Sequence, residues 1–386
     1  MTKVMLTGGG TAGHVMGNIA ILPGLRDRGY EIEYIGSKKG IERDLIEKEG
    51  LPYFPIASGK LRRYASWNNV EDVFRVVGGV FDALAVLKKQ KPDIIFSKGG
   101  YVSVPVALTA ALLGIPFIGH ESDLTPGLAN KIAARYAKKM LVTFPETKAY
   151  FKDKGVVVGS PVRDTLFTGD RAKALEFLGF TEDKPILLIV GGSLGAVILN
   201  QLVWDNLDVL LQDYQIVHLI GKDNGDPAKR DGAGYRQLEY AGPQMKDILA
   251  ASDYIVSRAG SNSLFEFLAL KKPNLLIPLD FNQSRGDQVL NAQSFAAAGY
   301  SMVLREADLT SSSFLTKLME LKDGAAEFIQ NMEQAENSNA VEHILTIIDE
   351  TLAEAQNGRK NQTKSNRDPM EPEPVIFDKT YPKSKD

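Results

Sequence analysis

Residues 3–14 read KVMLTGGGTAGH, a short apolar run followed by a glycine-rich segment. The apolar run is typical of a buried β-strand, and the glycines indicate a tight turn directly after it. The spacing Gly8-x-Gly10-x-x-Gly13 is typical of a turn that leads from a strand into a helix, which would place His14 in the first helical turn. The segment therefore predicts an α/β domain that begins with a strand, a glycine loop and a helix.

The same alternation continues through the first half of the chain. The predicted strands are Lys3–Thr7, Glu31–Ile35, Asp93–Ser97, Pro116–Gly119 and Met140–Thr143. The predicted helices between them are Asn18–Arg28, Ile41–Lys48, Val70–Lys89, Val104–Leu113 and Gly127–Ala137. Strands that alternate with helices are joined by right-handed crossovers, so a parallel sheet covered on both faces is expected.

The pattern restarts in the second half, where an apolar run again leads into glycines. The predicted strands there are Pro185–Val190, Gln215–Ile220, Tyr254–Ser257, Asn274–Pro278 and Ser301–Leu304. Two such openings predict two Rossmann-like, doubly wound domains, at residues 1–162 and 163–340. A last helix at 341–355 could pack on either domain and is expected to complete the first. The polar residues 358–386 are predicted to form a disordered tail.

The composition excludes several classes of protein. The chain has 386 residues, too many for one comfortable core, and its 44% hydrophobic and 24% charged residues are typical of a globular protein. A net charge of -3 lacks the basic footprint of a nucleic-acid-binding protein, so no nucleic-acid partner is expected. Because there is no cysteine, disulfides and thiolate metal sites are excluded.

A long uncharged stretch, residues 101–119, raises the question of a transmembrane helix. Ser103 is a suitable helix start, Leu113-Gly114 a suitable helix end, and Pro116 follows shortly. The stretch therefore predicts a helix and then a buried strand, and no membrane span. The N-terminus also lacks the charged region, apolar core and cleavage site of a signal peptide, so an intracellular protein is expected.

The first glycine loop has the chemistry of an anion site, because glycines let a ligand approach the backbone and helix N-termini attract negative charge. A dinucleotide site would also require an acidic residue at the end of the second strand. That strand ends Tyr34-Ile35-Gly36-Ser37-Lys38, without a carboxylate, which disfavours NAD. A phosphate-bearing ligand remains the favoured interpretation, and glycines that serve only a tight turn remain the alternative.

Two histidines follow predicted strands at the edge where open α/β sheets bind ligands, His14 and His120. His14, beside the glycine loop, could act as a general base near neutral pH, or it could be a cap or core histidine. Glu121 could act in catalysis, or it could form a hydrogen bond that orients His120 or the loop. Glycines, hydroxyls and a lysine in residues 97–103 suit a second anionic group.

The second half offers a complementary set of groups. Gly191-Gly192-Ser193 could bind a diphosphate through N–H groups and a hydroxyl. Glu266 could accept both hydroxyls of a ribose, or it could form a capping box with Ser263. Asp287-Gln288 could bind sugar hydroxyls, or it could be a solvated helix start.

Seven motifs together resemble one known family. They are GGGTAGH (Gly8–His14), GGYVS (Gly99–Ser103), HESDLTPGLANK (His120–Lys131), GSPVR (Gly159–Arg163), GGSLGA (Gly191–Ala196), SRAGSNSLFE (Ser257–Glu266) and SRGDQ (Ser284–Gln288). In this order they are similar to the MurG family, the N-acetylglucosaminyltransferases of peptidoglycan synthesis, and in particular to its Gram-positive members. The resemblance extends over about residues 1–355.

The resemblance implies a GT-B fold and a peripheral enzyme on the cytoplasmic face of the cell membrane. It implies inverting transfer of N-acetylglucosamine from UDP-N-acetylglucosamine to the muramoyl 4-hydroxyl of undecaprenyl-pyrophosphoryl-N-acetylmuramoyl-pentapeptide. The product is the β-1,4-linked disaccharide lipid precursor of the cell wall, which links the protein to cell shape and division. The implied partners are both substrates, an anionic membrane surface and a cell-wall synthesis complex. The alternatives are a UDP-N-acetylglucosamine epimerase and a non-catalytic nucleotide-sugar-binding subunit.

The resemblance also implies roles for individual residues. On the donor side, Arg163 and the backbone near Gly242 hold the uracil, and Glu266 holds the ribose. Ser193 and Ser261 lie at the donor diphosphate. Asp123, Asp287 and Gln288 contact the sugar. The residues expected at the acceptor pyrophosphate belong to the two glycine loops of the first half: Thr11, Ala12, Gly13, Gly100, Tyr101 and Ser103.

Three positions depart from the family pattern. Ala12 stands where many members have glycine, and its Cβ limits how close a phosphate can come. Asp123 replaces an asparagine, and Asp287 replaces a glutamine, which exchanges a donor for an acceptor. His14 is the expected base, with Glu121 or Asp123 as fallbacks. The sequence has no compact Asp-x-Asp pair for a divalent cation, so neither a metal nor another cofactor is expected.

A lipid-linked acceptor would require access to a bilayer, and the predicted helix Val70–Lys89 has the pattern for it. Its apolar residues are Val70, Val73, Phe74, Val76, Val77, Val80, Phe81, Leu84 and Leu87. The surrounding basic residues are Lys60, Arg62, Arg63, Arg75, Lys88, Lys89 and Lys91. This pattern favours docking on anionic lipid, and the alternative is a helix that packs on the sheet with a charged, solvated rim.

Overall fold

The computed structural model describes residues 1–59, 68–192, 195–225, 231–281, 286–335 and 339–365. These residues form two parallel β-sheets with helices on both faces. The first sheet contains β1 (Lys3–Thr7), β2 (Glu31–Ser37), β3 (Tyr53–Ile56), β4 (Ile94–Ser97), β5 (Phe117–Glu121), β6 (Lys139–Val142) and β7 (Gly155–Val157). Its helices are α1 (Ala12–Asp27), α2 (Ile41–Lys48), α3 (Asn68–Gln90), α4 (Ser103–Leu113) and α5 (Leu128–Ala133).

The strand order of this sheet is β3-β2-β1-β4-β5-β6-β7. The order reverses beside β1, whose Thr7 pairs with Ile35 on one side and with Ser97 on the other. A crevice forms at such a reversal, at the carboxyl ends of the strands. The loops after β1 and β4, which carry the first two glycine motifs, therefore border the same crevice.

The second sheet repeats this plan. It contains β8 (Ile186–Val190), β9 (Gln215–Leu219), β10 (Tyr235–Leu238), β11 (Tyr254–Ser257), β12 (Asn274–Leu276) and β13 (Met302–Val303), in the order β10-β9-β8-β11-β12-β13. Its helices are α6 (Arg171–Leu178), α7 (Val197–Asp205), α8 (Leu207–Asp213), α9 (Met245–Ala251), α10 (Ser261–Ala269), α11 (Asp287–Ala297), α12 (Ser311–Asp323) and α13 (Ala325–Gln334). The reversal lies between β8 and β11, so the loops into α7 and α10 border its crevice.

The last helix, α14 (Ala340–Ser365), packs on the first sheet. Its Ile344 and Ile348 are buried in the cluster that contains Leu6 of β1. Polar contacts add to this packing, because Arg28 at the end of α1 donates to Asp349 over 3.0 Å. The helix extends to Ser365, and residues 366–386 lie outside the described ranges, so the disorder of 358–386 stays a prediction.

Every predicted strand is present, and three more strands lie where none was predicted: β3, β7 and β10. The uncharged stretch 101–119 forms α4 and the start of β5, and α4 ends at Gly114 with a left-handed φ of 66°. Within the described ranges, no helix is both long and apolar enough to cross a bilayer. The domain limits at 162 and 340 stay a prediction. Residue 162 lies between β7 and β8, and Ala340 is the first residue of α14.

Candidate active site at the facing strand ends

The two glycine loops of the first half pack directly against each other. The Gly9 N–H donates to the Gly99 carbonyl over 3.3 Å. A Cβ on Gly100, whose φ is +83°, would lie 2.0 Å from the Gly9 oxygen. A Cβ on Gly10 would lie 2.6 Å from the Tyr101 ring. Side chains at these glycines would force the loops apart, so the glycines are required by packing as well as by any ligand.

His14 lies in the first turn of α1, as predicted. Its Nδ1 atom is 3.1 Å from the Gly9 carbonyl oxygen and 3.0 Å from Thr11 Oγ1. Because a carbonyl oxygen can only accept, the neutral ring carries its proton on Nδ1. In that tautomer Nε2 is the basic nitrogen, which is the state that a general base requires.

Glu121, at the end of β5, is buried and binds its own loop. Its Oε1 accepts from the Asp123 N–H over 3.0 Å, and its Oε2 accepts from the Gly127 N–H over 3.0 Å and from Asn130 Nδ2 over 2.8 Å. Burial, with a smaller contribution from Asp123, raises the pKa of Glu121 to about 7. These contacts fit the positioning role considered for Glu121, and they hold loop 121–127 in shape.

His120 and Lys98 form a buried chain beneath the loops. Lys98 Nζ lies 2.9 Å from His120 Nδ1, and His120 Nε2 lies 3.1 Å from the Gly159 carbonyl oxygen. Since that carbonyl accepts, Nε2 carries the imidazole proton and Nδ1 accepts from the lysine. Burial, and then the nearby Lys98 charge, keep the pKa of His120 well below its usual range.

Loop 121–127 is hydrogen-bonded to the second half of the chain. Asn291 of α11 is fully buried, accepts from the Leu124 N–H over 3.1 Å and donates to Asp123 Oδ1 over 3.2 Å. Thr125 Oγ1 donates to Asp287 Oδ1 over 3.0 Å. The Ser261 hydroxyl donates to the Ser122 carbonyl. Three residues predicted at the donor, Asp123, Asp287 and Ser261, thus lie together at this contact.

The first turns of α1 and α10 approach each other closely. A Cβ on Gly13 would lie 2.4 Å from Asn262 Nδ2. The side chain of Asn262 also reaches Ser160, in the segment that leaves the first sheet, at 3.5 Å. The N-termini of the two helices beside the crevices are therefore in contact, and we call the region around this contact the cleft.

On the donor side, Arg163 and Glu266 lie together, and the substrate contacts expected of them stay a prediction. Arg163 Nη2 is 3.5 Å from Glu266 Oε1, and burial raises the pKa of Glu266 while Arg163 opposes the shift. The capping-box interpretation is wrong. Helix α10 begins at Ser261 with Gly260 as its N-cap, so Ser263 lies inside the helix and cannot cap it.

The remaining predicted donor residues lie at the same edge of the second sheet. Gly242 follows β10 with a φ of +55°, and its nearest neighbour would be 3.8 Å from an added Cβ. Gln288 Oε1 accepts from the Leu279 N–H over 3.0 Å. Gly192, after β8, is exposed and has open space around its Cα. Ser193 lies outside the described residues, so its role stays a prediction.

Glu42 is a residue that the sequence analysis missed. It lies in the first turn of α2, is fully buried, and accepts from the Ser37 N–H over 3.2 Å. An added Cβ on Gly9 would be 2.5 Å from its Oε1. A carboxylate therefore does lie at the end of β2, but it reaches there from the next helix. The one signal in the sequence is that Glu42 lies in the first turn of the helix that follows β2.

Comparisons with known proteins agree with this architecture. The glycosyltransferase family 28 N-terminal domain matches residues 4–142, and the C-terminal domain of the same family matches residues 186–365. The crystal structure of Acinetobacter baumannii MurG has a TM-score of 0.68 and 24% identity, covering 91% of this chain and 100% of that chain. The fold is GT-B, as predicted.

Two curated relatives share about half of their residues with this chain. Both are named "UDP-N-acetylglucosamine--N-acetylmuramyl-(pentapeptide) pyrophosphoryl-undecaprenol N-acetylglucosamine transferase". The protein from Lachnospira eligens is 53% identical over 349 residues, and the one from Clostridium botulinum strain Langeland is 51% identical over 349 residues. Each match covers 90% of this chain and 99% of the relative. The chain therefore belongs to glycosyltransferase family 28 and, within it, to the MurG transferases.

Proposed function

We propose that the protein transfers N-acetylglucosamine from UDP-N-acetylglucosamine to the muramoyl 4-hydroxyl of undecaprenyl-pyrophosphoryl-N-acetylmuramoyl-pentapeptide, with inversion at the anomeric carbon. Relatives named for this reaction match the chain over nearly their whole length. The observation that carries the proposal is the approach of Gly13 to Asn262, because it brings the His14 turn next to the first turn of the donor-side helix α10.

The proposed reaction is a single displacement. The acceptor oxygen attacks C1 of the sugar, the bond from C1 to the phosphate oxygen breaks, and UDP leaves with the electron pair. The proton of the attacking hydroxyl passes to His14 Nε2, since Nδ1–H is directed at Gly9. Negative charge that builds on UDP is stabilised by the N-terminus of α10, where Ser261 lies, and by the loop that contains Gly192.

The substrate roles that we propose are those that the family resemblance implies. Arg163 and Glu266 would hold the nucleoside, Gly242 would let the uracil approach the backbone, and Gln288 would read the sugar. Asp123 and Asp287 would contact the sugar. Each already has a hydrogen-bond partner in the other half of the chain, Asn291 for Asp123 and Thr125 for Asp287. The loops that contain Gly13 and Gly100 would bind the acceptor pyrophosphate.

We further propose that helix α3 docks the protein on the cytoplasmic face of the membrane. The two faces of α3 differ: Ala83 and Leu87 are buried against the sheet, whereas Val77 is 49% exposed and Phe81 is 67% exposed. Exposed apolar side chains near basic residues suit an anionic lipid surface. Lys60, Arg62 and Arg63 lie outside the described residues, as do the side chains of Val70, Val73 and Phe74.

The test is release of UDP from UDP-N-acetylglucosamine by the purified full chain, with and without the lipid-linked acceptor. Transfer predicts UDP release that depends on the acceptor, together with a lipid-linked disaccharide. An epimerase would instead form a soluble product without lipid, and a binding subunit would release no UDP. Either of these results would overturn the proposal.

A further inference from the structure

The most unusual buried group near the cleft is the amine of Lys98. The whole side chain is inaccessible to solvent, and the residue directly precedes the glycine pair Gly99-Gly100. A Cβ added at Gly8 would lie 3.4 Å from Cβ of Lys98. A Cβ added at Gly17 of α1 would lie 2.4 Å from Cε of Lys98. Lys98 thus runs beneath both glycine loops and beside the first turns of α1, where Gly17 leaves it room.

This amine has few partners. An ammonium group has three donors, and one of them is directed at His120 Nδ1 at 2.9 Å. Among the residues that the structure describes, no carboxylate forms an ion pair with Lys98. Buried lysines are normally paired, because burying an unpaired cation is costly. The nearby N-terminus of α1 is itself positive, so the helix dipole adds to the cost.

A buried lysine with no carboxylate in direct contact is a natural counterpart for a bound anion. The glycine loops and the N-terminus of α1 lie beside Lys98, so a diphosphate bound against them would complete the charge balance. From this arrangement we propose that Lys98 is a buried counter-charge for the pyrophosphate of the lipid-linked acceptor. The inference rests on the proposed function, because it deepens the role of the acceptor site.

The state of the amine fits this role. Burial lowers the pKa of Lys98 to about 7, while Glu121 and Asp123 oppose the shift. The other titratable groups that face this region are His120 and, acting on His120, His14. An anion bound above Lys98 raises its pKa, so binding above pH 7 is accompanied by proton uptake by the amine.

The variants are Lys98→Met, which removes the charge and the donor, and Lys98→Gln, which removes the charge but keeps a donor for His120. Lys272→Met is the matched control. Lys272 is another largely buried lysine, but its Nζ donates to the Ala250 carbonyl over 3.1 Å and to the Ser252 carbonyl over 2.8 Å, in the second half of the chain.

The first measurement is calorimetric binding of inorganic pyrophosphate at pH 8, alone and with saturating UDP, in buffers of different ionisation enthalpy. Saturating UDP occupies the donor diphosphate site, so the pyrophosphate binding that remains measures the acceptor site. We expect both Lys98 variants to bind it about tenfold more weakly, the size of one lost charge-assisted contact, and to lose most of the proton uptake. Lys272→Met should behave as the wild type.

The second measurement separates binding from folding. The KM for the lipid-linked acceptor should rise about tenfold in the Lys98 variants with kcat nearly unchanged, and the melting temperature of Lys98→Met should not fall. A purely structural lysine predicts the opposite: a lower melting temperature and an unchanged KM.

The inference is overturned if Lys98→Gln binds pyrophosphate in the presence of UDP as tightly as the wild type. It is also overturned if the variants lose affinity for UDP alone, because the charge would then serve the donor. A wild type that does not transfer sugar to the lipid would refute the proposed function, whereas an active wild type with unaffected variants would refute only the role of Lys98.

Discussion

The imidazole of His14 is held by the loop that precedes its own helix, because Nδ1 lies 3.1 Å from the carbonyl oxygen of Gly9. In the proposed function, the same loop binds the acceptor pyrophosphate. The hydrogen bond therefore fixes the tautomer and the direction of the ring together, so Nε2 is the nitrogen that would take the acceptor's proton in the proposed reaction.

Replacing His14 by alanine should lower kcat by about 10²–10⁴-fold, the usual contribution of a general base. The measurement is acceptor-dependent UDP release under saturating substrates. His343→Ala is the control, because His343 is exposed on α14. If His14→Ala loses less than about tenfold while Glu121→Ala abolishes turnover, the base has been assigned to the wrong residue.

The contact between the glycine loops predicts a severe effect of Gly100→Ala. The new Cβ would lie 2.0 Å from the Gly9 oxygen, and the φ of +83° is strained for alanine. We expect a loss of about 1–3 kcal/mol in the free energy of unfolding, measured by denaturant titration, together with loss of most activity. Gly232→Ala, where an added Cβ meets nothing within 4 Å, should be nearly neutral. Equal stability of the two variants would contradict this account.

Asn291 predicts how the two halves of the cleft cooperate. Asn291→Ala removes the hydrogen bonds to Leu124 and Asp123, so loop 121–127 is less firmly held and the KM for UDP-N-acetylglucosamine should rise. Asn291→Asp should be worse, because it places a second carboxylate beside Asp123.

The control for this pair is Asn331→Ala, which removes a similar bond, 3.1 Å to the Gly299 carbonyl, away from the cleft. Steady-state kinetics on all three variants provide the measurement. A variant series in which Asn291→Asp performs better than Asn291→Ala would show that the contact with Asp123 does not hold the loop.

His218 predicts a loss of stability in acid. It is buried between Tyr235 and Asn200, and burial lowers its pKa from 6.5 to about 4. Between these values the unfolded chain binds more protons than the folded one, so the free energy of unfolding falls as the pH falls through this window. The contribution of His218 is about 2 kcal/mol between pH 7 and pH 5.

Denaturant titrations at pH 7 and pH 5 on the wild type and on His218→Gln test this dependence. The variant should be less stable at pH 7, but its loss on acidification should be smaller than that of the wild type. His343→Ala serves again as the exposed control. The same acid loss in His218→Gln and in the wild type would refute the assignment.

The exposed face of α3 predicts weaker membrane binding when its apolar and basic residues are replaced. Phe81→Glu, and separately Lys88→Glu with Lys89→Glu, should reduce binding to anionic vesicles at least tenfold, since each basic residue near such a surface contributes about 1 kcal/mol. Phe177→Glu is a matched control, because Phe177 is a similarly exposed aromatic residue on α6 of the second half. Cosedimentation with vesicles is the measurement, and unchanged binding of the α3 variants would exclude this helix as the docking surface.

The central strands could be predicted because burial on both faces makes them continuously apolar, as in Ile94-Ile95-Phe96. The strands that were missed, β3, β7 and β10, are all edge strands. Each is short, and β3 contains Pro55, while β10 contains Arg236 and Gln237. Edge strands tolerate proline and polar residues, so their sequences lack the apolar signal.

The site could be predicted only in part. Glycine spacing located the loops, and the strand pattern placed His14 and Glu266 near strand ends. Arg163 follows the missed strand β7, and only the family resemblance indicated it. The capping box failed because Ser263 had the right spacing but the helix begins two residues earlier. The burial of Lys98 and Asn291 could not be predicted, because it depends on contacts with α1 and with loop 121–127 that only the folded chain creates.

The packing of α14 on the first sheet has a consequence for synthesis of the protein. Apolar side chains such as Val15 and Ile21 of α1 share one cluster with Ile344, Ile348 and Leu352 of α14, the last part of that cluster to be translated. While the ribosome makes the second sheet, the apolar side chains of the first domain that pack against α14 therefore remain exposed. Completion of the earliest module depends on the latest helix, and a nascent chain stopped before residue 340 would be a ready substrate for chaperones and proteases.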